Sequence, residues 1–219
     1  MTTLLSPVQA RVIAVLIEKE KTTPDVYPLT LNSLTAGCNQ KTCREPVMQL
    51  SEREVQAVLE ELRSRTLVMD TFGASGRVLR YAHNFGKVYG LPAAAVAILA
   101  TLMLRGPQTA SELRANCDRL YHFADASSVE GYLDELANRP QGALAVLLTR
   151  QPGMREPRWA HLLCGDAALA AMVSAQQESR PAGEATDSAE LEMRVSTLEG
   201  QVAELQAQLR SLLERPAGT

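Results

Sequence analysis

The chain has 219 residues, 46% hydrophobic and 21% charged, a balance that excludes a disordered protein and suits two small domains with an appendage. Its net charge of −3 is uneven: residues 1–90 carry 11 Lys+Arg against 9 Asp+Glu, residues 91–165 carry 7 and 7, and residues 166–219 carry 4 and 9. The acidity therefore sits in the tail and does not exclude a polyanionic partner for the first ninety or so residues.

Ser6, Pro7 and Gln9 form a helix start, with Ser as N-cap, Pro at the first helical position and Gln at the third. Val8, Val12, Val15 and Leu16 follow at helical spacing. "TTPDVYPL" breaks that helix, Thr30 caps a short second helix with Leu31 and Leu34, and Gly37 is expected to end it. A polar connector, Cys38–Leu50, leads to a second capping box, Ser51 with Glu54, and to the apolar face Val55, Val58, Leu59 and Leu62. The period then changes to that of strands in "LVMDT" and "RVLRYAH", joined by the turn "FGASG".

The same order returns downstream. Pro92 opens a helix carrying Val96, Leu99, Leu102 and Met103, and Thr109 with Glu112 boxes a short helix. After a second polar connector, Ser127 with Glu130 is expected to box a third helix. "ALAVLLT" and "PRWAHLL" then read as a hairpin. The phrases "RYAH" and "RWAH", 78 positions apart, occupy corresponding strands. Three helices closed by a two-stranded hairpin is the winged-helix arrangement, so the expected fold is mainly α with small β-hairpins, built as two tandem winged-helix domains. The expected boundaries are 1–88 and 89–165, followed by a short helix and linker at 166–187 and a coiled-coil helix at 188–215.

In the tail, Leu191, Val195, Leu198, Val202, Leu205, Leu209 and Leu212 recur at alternating spacings of 4 and 3. Leu at d with Val at most a positions favours a parallel two-stranded coil, so a homodimer through this seam is expected. No apolar run reaches the roughly 18 residues of a membrane span. The N-terminus also lacks the basic and apolar regions of a signal peptide, so the expectation is a cytoplasmic protein that does not use the membrane.

The blocks "SPVQARVIAVLIEKEKTTPDVYPLTLNSLTAGCNQKTCREPVM", "LRGPQTASELR", "FADASSVEGYLDELA" and "RQPGMREPRWAHLL" resemble the YceH family of bacterial proteins. The resemblance covers Ser6–Gly165. It implies a tandem winged-helix architecture with a coiled-coil tail, and it brings no activity and no catalytic residue with it.

If the first domain reads DNA, its third helix would present Arg53, Gln56 and Arg63, with Lys41 and Arg44 from the connector and Arg77 from the hairpin on phosphates. Glu60 and Glu61 oppose this. The third helix of the second domain exposes Glu130, Asp134, Glu135 and Asn138, an acidic face that phosphates would repel but a protein partner could use. Both connectors exceed the 3–4 residues usual in a DNA-reading helix-turn-helix. The expected function is a DNA-associated regulator, with a protein-interaction scaffold as the alternative. No enzymatic role, cofactor or metal is expected. Cys38, Cys43, Cys117 and Cys164 lack zinc-knuckle spacing, no Cys–His pair is placed by the sequence, and "FGASG" is not followed by a helix.

Overall fold

The protein is described here from a computed structural model, in which residues 4–72, 78–150 and 154–178 are described. Met1–Val173 forms one compact unit and Ser174–Thr219 a second. The coiled-coil seam expected at 191–212 lies outside the described residues.

The first unit is mainly helical with two small antiparallel hairpins, and its elements run in two rounds of the same order. The first round is α1 (Pro7–Thr22), a 3-10 turn at Pro24–Val26, α2 (Leu31–Cys38), α3 (Glu52–Ser64), β1 (Val68–Phe72) and β2 (Leu79–His83). A five-residue helix, α4 (Phe85–Tyr89), separates it from α5 (Ala93–Arg105), α6 (Ala110–Cys117), α7 (Ala126–Ala137), β3 (Ala145–Leu147) and β4 (Trp159–His161). Helix α8 (Gly165–Glu178) follows. Sequence periodicity missed α4, which is too short to show a face.

Three expected caps are present in full: Ser6 with Gln9, Ser51 with Glu54, and Thr109 with Glu112. Two expectations need correction. Helix α7 is capped by Asp125, whose carboxylate accepts the Ser128 N–H at 2.7 Å, so the helix begins ahead of the expected Ser127. Asp and Ser are comparable N-caps, but Asp125 has the extended backbone a cap requires whereas Ser127 already lies within the helix. Gly37 lies inside α2 and does not end it. A Cβ there would meet Val15 Cγ1 at 2.7 Å, so glycine allows α2 to approach α1.

The hairpins extend the duplication. Tyr81 exchanges backbone hydrogen bonds with Leu29 (2.8 and 3.1 Å), and Trp159 does the same with Gln108 (2.7 and 3.0 Å). Each returning strand is thus held to the residue just before the second helix of its own round. Arg80 donates to Pro28 O at 2.8 Å and Val26 O at 3.2 Å, and Arg158 donates to Pro107 O and Glu112 Oε1, both at 2.8 Å. The alternation of each strand puts Tyr81 and Trp159 in the core and turns the arginines across these lips.

The two rounds share one aliphatic core. Helix α1 packs along α5, and both are buried along most of their length, from Gln9 to Ile17 and from Ala94 to Leu104. A single apolar stripe was expected on α1; α5 covers the face that a lone domain would leave wet. Glu45 N–H to Leu104 O (2.7 Å), Leu5 N–H to Leu163 O (2.8 Å) and Arg139 to Tyr89 O (2.8 Å) tie the rounds further.

Candidate functional site

Helix α3 buries Val55, Leu59 and Leu62 completely, so the register turns Arg53, Glu60 and Arg63 outward. The Ser51–Glu54 box fixes its start. The Ser51 hydroxyl and backbone N–H hold the Glu54 carboxyl below the usual carboxylate range.

The expected nucleic-acid residues divide by what holds them. Arg53 and Lys41 are exposed, and no hydrogen bond or ion pair engages them among the described residues. Gln56 is half-buried, accepts from the Tyr81 hydroxyl and donates to Glu60, both at 3.2 Å, so it braces α3 against β2. Arg63 pairs with Asp70 of β1 at 3.0 Å. The sequence reading did not single out Asp70, because only the hairpin register brings it beside α3. Arg77 lies outside the described residues.

Arg44 requires a correction. Only 5% of it is exposed, and its guanidinium donates to both oxygens of Glu18 (2.6 and 3.2 Å), to Gly37 O, to Cys43 O and to Gln40 Oε1. An arginine with its donors committed in this way cannot also meet a phosphate. Arg11, 1% exposed, works beside it, donating to Cys38 O and Pro46 O. Asn39 closes the far end of the connector through reciprocal bonds with Leu50 at 2.7 Å. The long connector is thus an ordered brace between α2 and α3.

On α7 the residues Glu130, Asp134, Glu135 and Asn138 are all exposed as expected, on the side opposite buried Val129, Leu133 and Leu136. The exposed cations of the second hairpin are Arg150 and Arg155, since Arg158 is committed to Pro107 and Glu112. His161 is 5% exposed, and burial pushes its imidazole down to about 4. The four cysteines are free thiols; burial raises Cys38 to about 12 and Cys117 and Cys164 to about 11, which keeps them protonated and poorly nucleophilic. Among the described residues no three His, Cys, Asp or Glu side chains group to hold a metal ion, and no helix is long and apolar enough to cross a membrane.

Residues 5–154, which contain α1 through β3 and the first three of the blocks quoted above, match the family model described as "Protein of unknown function, DUF480". The chain belongs to this family. The DUF480 match is accompanied by long similarities to relatives that carry the name UPF0502 protein. One from Acidovorax sp. (strain JS42) is 55% identical over 216 residues, covering 96% of this chain and 93% of that one. One from Leptothrix cholodnii is 53% identical over 217 residues, covering 99% and 96%. A Burkholderia cenocepacia relative is 57% identical over 171 residues, covering 78% of this chain and 71% of that one. These similarities agree with the YceH-type resemblance of the sequence and name no substrate or partner.

Proposed function

We propose that the protein is a non-enzymatic interaction scaffold, built from two winged-helix modules, whose third helices dock on basic protein surfaces. The observation that carries this reading is the charge of those helices. Helix α3 sets Glu52, Glu54, Glu60 and Glu61 against Arg53 and Arg63, and α7 has Glu130, Asp134 and Glu135 with no cation. A helix that enters a DNA groove meets phosphates on both sides, and acidic faces are repelled there. The ordered connector supports the same reading, because it replaces the short turn of a DNA-reading helix-turn-helix. A second copy, joined through the heptad seam read in the tail, would double the acidic surface.

The DNA-associated regulator is the second reading, favoured by exposed Lys41 and Arg53 in the first module and by Arg150 and Arg155 on the second hairpin. Fluorescence anisotropy of full-length protein with a random-sequence duplex, at low and at physiological salt, separates the two. The scaffold reading expects no saturable binding even at low salt. Saturable binding that weakens in Arg53→Ala and Lys41→Ala, with a salt slope reduced by about 1 for each lost phosphate contact, would establish the DNA reading instead.

A further inference from the structure

Strand β1 is an edge strand: β2 pairs with one side of it, and no backbone among the described residues pairs with the other. The register fixes which of its groups face outward. Tyr81 turns its own N–H and C=O away from β1, to Leu29, so Asp70 opposite it is not bonded to β2. At the other end Asn84 N–H donates to Leu67 O at 2.8 Å, which sets the same alternation. The backbone groups of Asp70 and Phe72 therefore point from the open edge.

That edge is unusually bare. Met69 to Phe72 are all exposed, Met69 at 49% and Phe72 at 67%. Edge strands are commonly blunted by lysine, proline or a bulge, and β1 has neither residue and an unbroken register. An open groove of about 770 Å³ lies beside it, lined by Glu60 and Arg63 of α3 and by Met69 and Asp70. Arg63 pairs with Asp70 at 3.0 Å, whereas the Glu60 carboxylate accepts only from the Gln56 amide, at 3.2 Å, among the described residues. The groove thus keeps one negative charge without a cation.

We propose that this groove takes an extended segment of a partner protein, added to β1 as a further strand, in which apolar residues alternate with lysine or arginine. The segment bonds to the outward backbone groups of Asp70 and Phe72. Its cations face α3 and meet Glu60, and its apolar side chains lie beside Met69 on the opposite face. A second copy of β1 suits the edge less well, because it would bring the same excess of acid. The second hairpin offers less, since β3 has three residues and Ala145 is buried. The inference rests on the scaffold reading and names the partner chemistry at the first module.

Fluorescence anisotropy of full-length protein with a labelled nine-residue peptide of alternating valine and lysine tests this. Saturable binding below millimolar concentration is expected, and none with glutamate in place of lysine. Methylating the backbone nitrogens of the lysines, or those of the valines, should abolish binding in one case only, because a single alternate set faces β1. Glu60→Lys, at an exposed helix position, should weaken binding by about fivefold. Phe72→Pro removes an outward N–H without touching the ladder to β2 and should weaken it by about tenfold. The inference is overturned if the valine–lysine peptide does not saturate, if both variants bind it unchanged, or if the two methylated peptides behave alike. Self-association lost in Phe72→Pro, with no peptide binding, would assign the edge to a second copy instead. These outcomes leave the outward faces of α3 and α7 as they stand, whereas displacement of the peptide by a random-sequence duplex would overturn the scaffold reading as well.

Discussion

Arg44 carries the same charge wherever it sits, yet its position changes what it can do. In the linear chain it is one of two cations in the α2–α3 connector. In the fold its guanidinium spans Glu18 of α1, the carbonyl of Gly37 and the connector itself. Truncating one partner of a buried pair costs on the order of 3–5 kcal/mol, because the other charge is left desolvated. Glu18 keeps Lys19 at 3.4 Å, so Arg44→Ala is expected at the lower end, about 3 kcal/mol in urea unfolding. Arg44→Lys should recover only part of this, since an ammonium cannot reproduce the planar fork. A loss below about 1 kcal/mol would show that the connector is braced by other contacts.

At the scale of elements, the duplication is carried by what each returning strand holds. Arg80 and Arg158 donate to carbonyls in the segments ahead of α2 and α6, closing each hairpin onto its own helices. Arg80→Ala and Arg158→Ala should each lower stability by about 1–2 kcal/mol. The double variant should lose the sum, because the two clamps share no partner; chemical denaturation of the three variants checks this, and strong non-additivity would mean that the rounds unfold as one through these strands. Much of this level was legible in the chain. Capping pairs such as Ser51–Glu54 and Thr109–Glu112 are local, three residues apart, and need no partner from elsewhere. The interior place of Gly37 was not legible, because it depends on how closely Val15 of α1 approaches; the cap at Asp125 is as local as the others, and Ser127 with Glu130 was a competing pattern two residues on.

For the whole molecule, the shared core makes stability depend on pH. His161 titrates near 4 in the folded protein against 6.5 for the free side chain, and burial lowers His83 in the same direction. Above pH 6.5 the imidazoles are neutral in both states. As pH falls below it, the unfolded chain takes up protons that the folded chain refuses, so stability declines until the folded value is reached. From His161 alone the loss between pH 7 and pH 5 should be about 2 kcal/mol. Over this window the carboxyls of Glu54 and Asp125, with reference values of 4.5 and 3.8 and lowered further by their capping bonds, stay ionised. Urea midpoints measured across it should therefore fall with pH in the wild type and fall less steeply in His161→Leu. Equal slopes would remove His161 from the account.

The sequence by itself determined the order of elements apart from α4, most of their caps, the repetition of the unit, the outward stripes of α3 and α7, and the family. All of these follow from spacing within one helix or strand, or from local likeness to a known pattern. Only the tertiary structure decided that the first helix of each round is buried against the other, and that Arg44 is a brace. It alone decided that Arg63 is neutralised by Asp70, and that Glu60, Met69 and Asp70 line one groove. Those facts depend on residues distant in the chain meeting across packed helices. An isolated periodicity records which face of a helix is apolar, but not which neighbour will cover it.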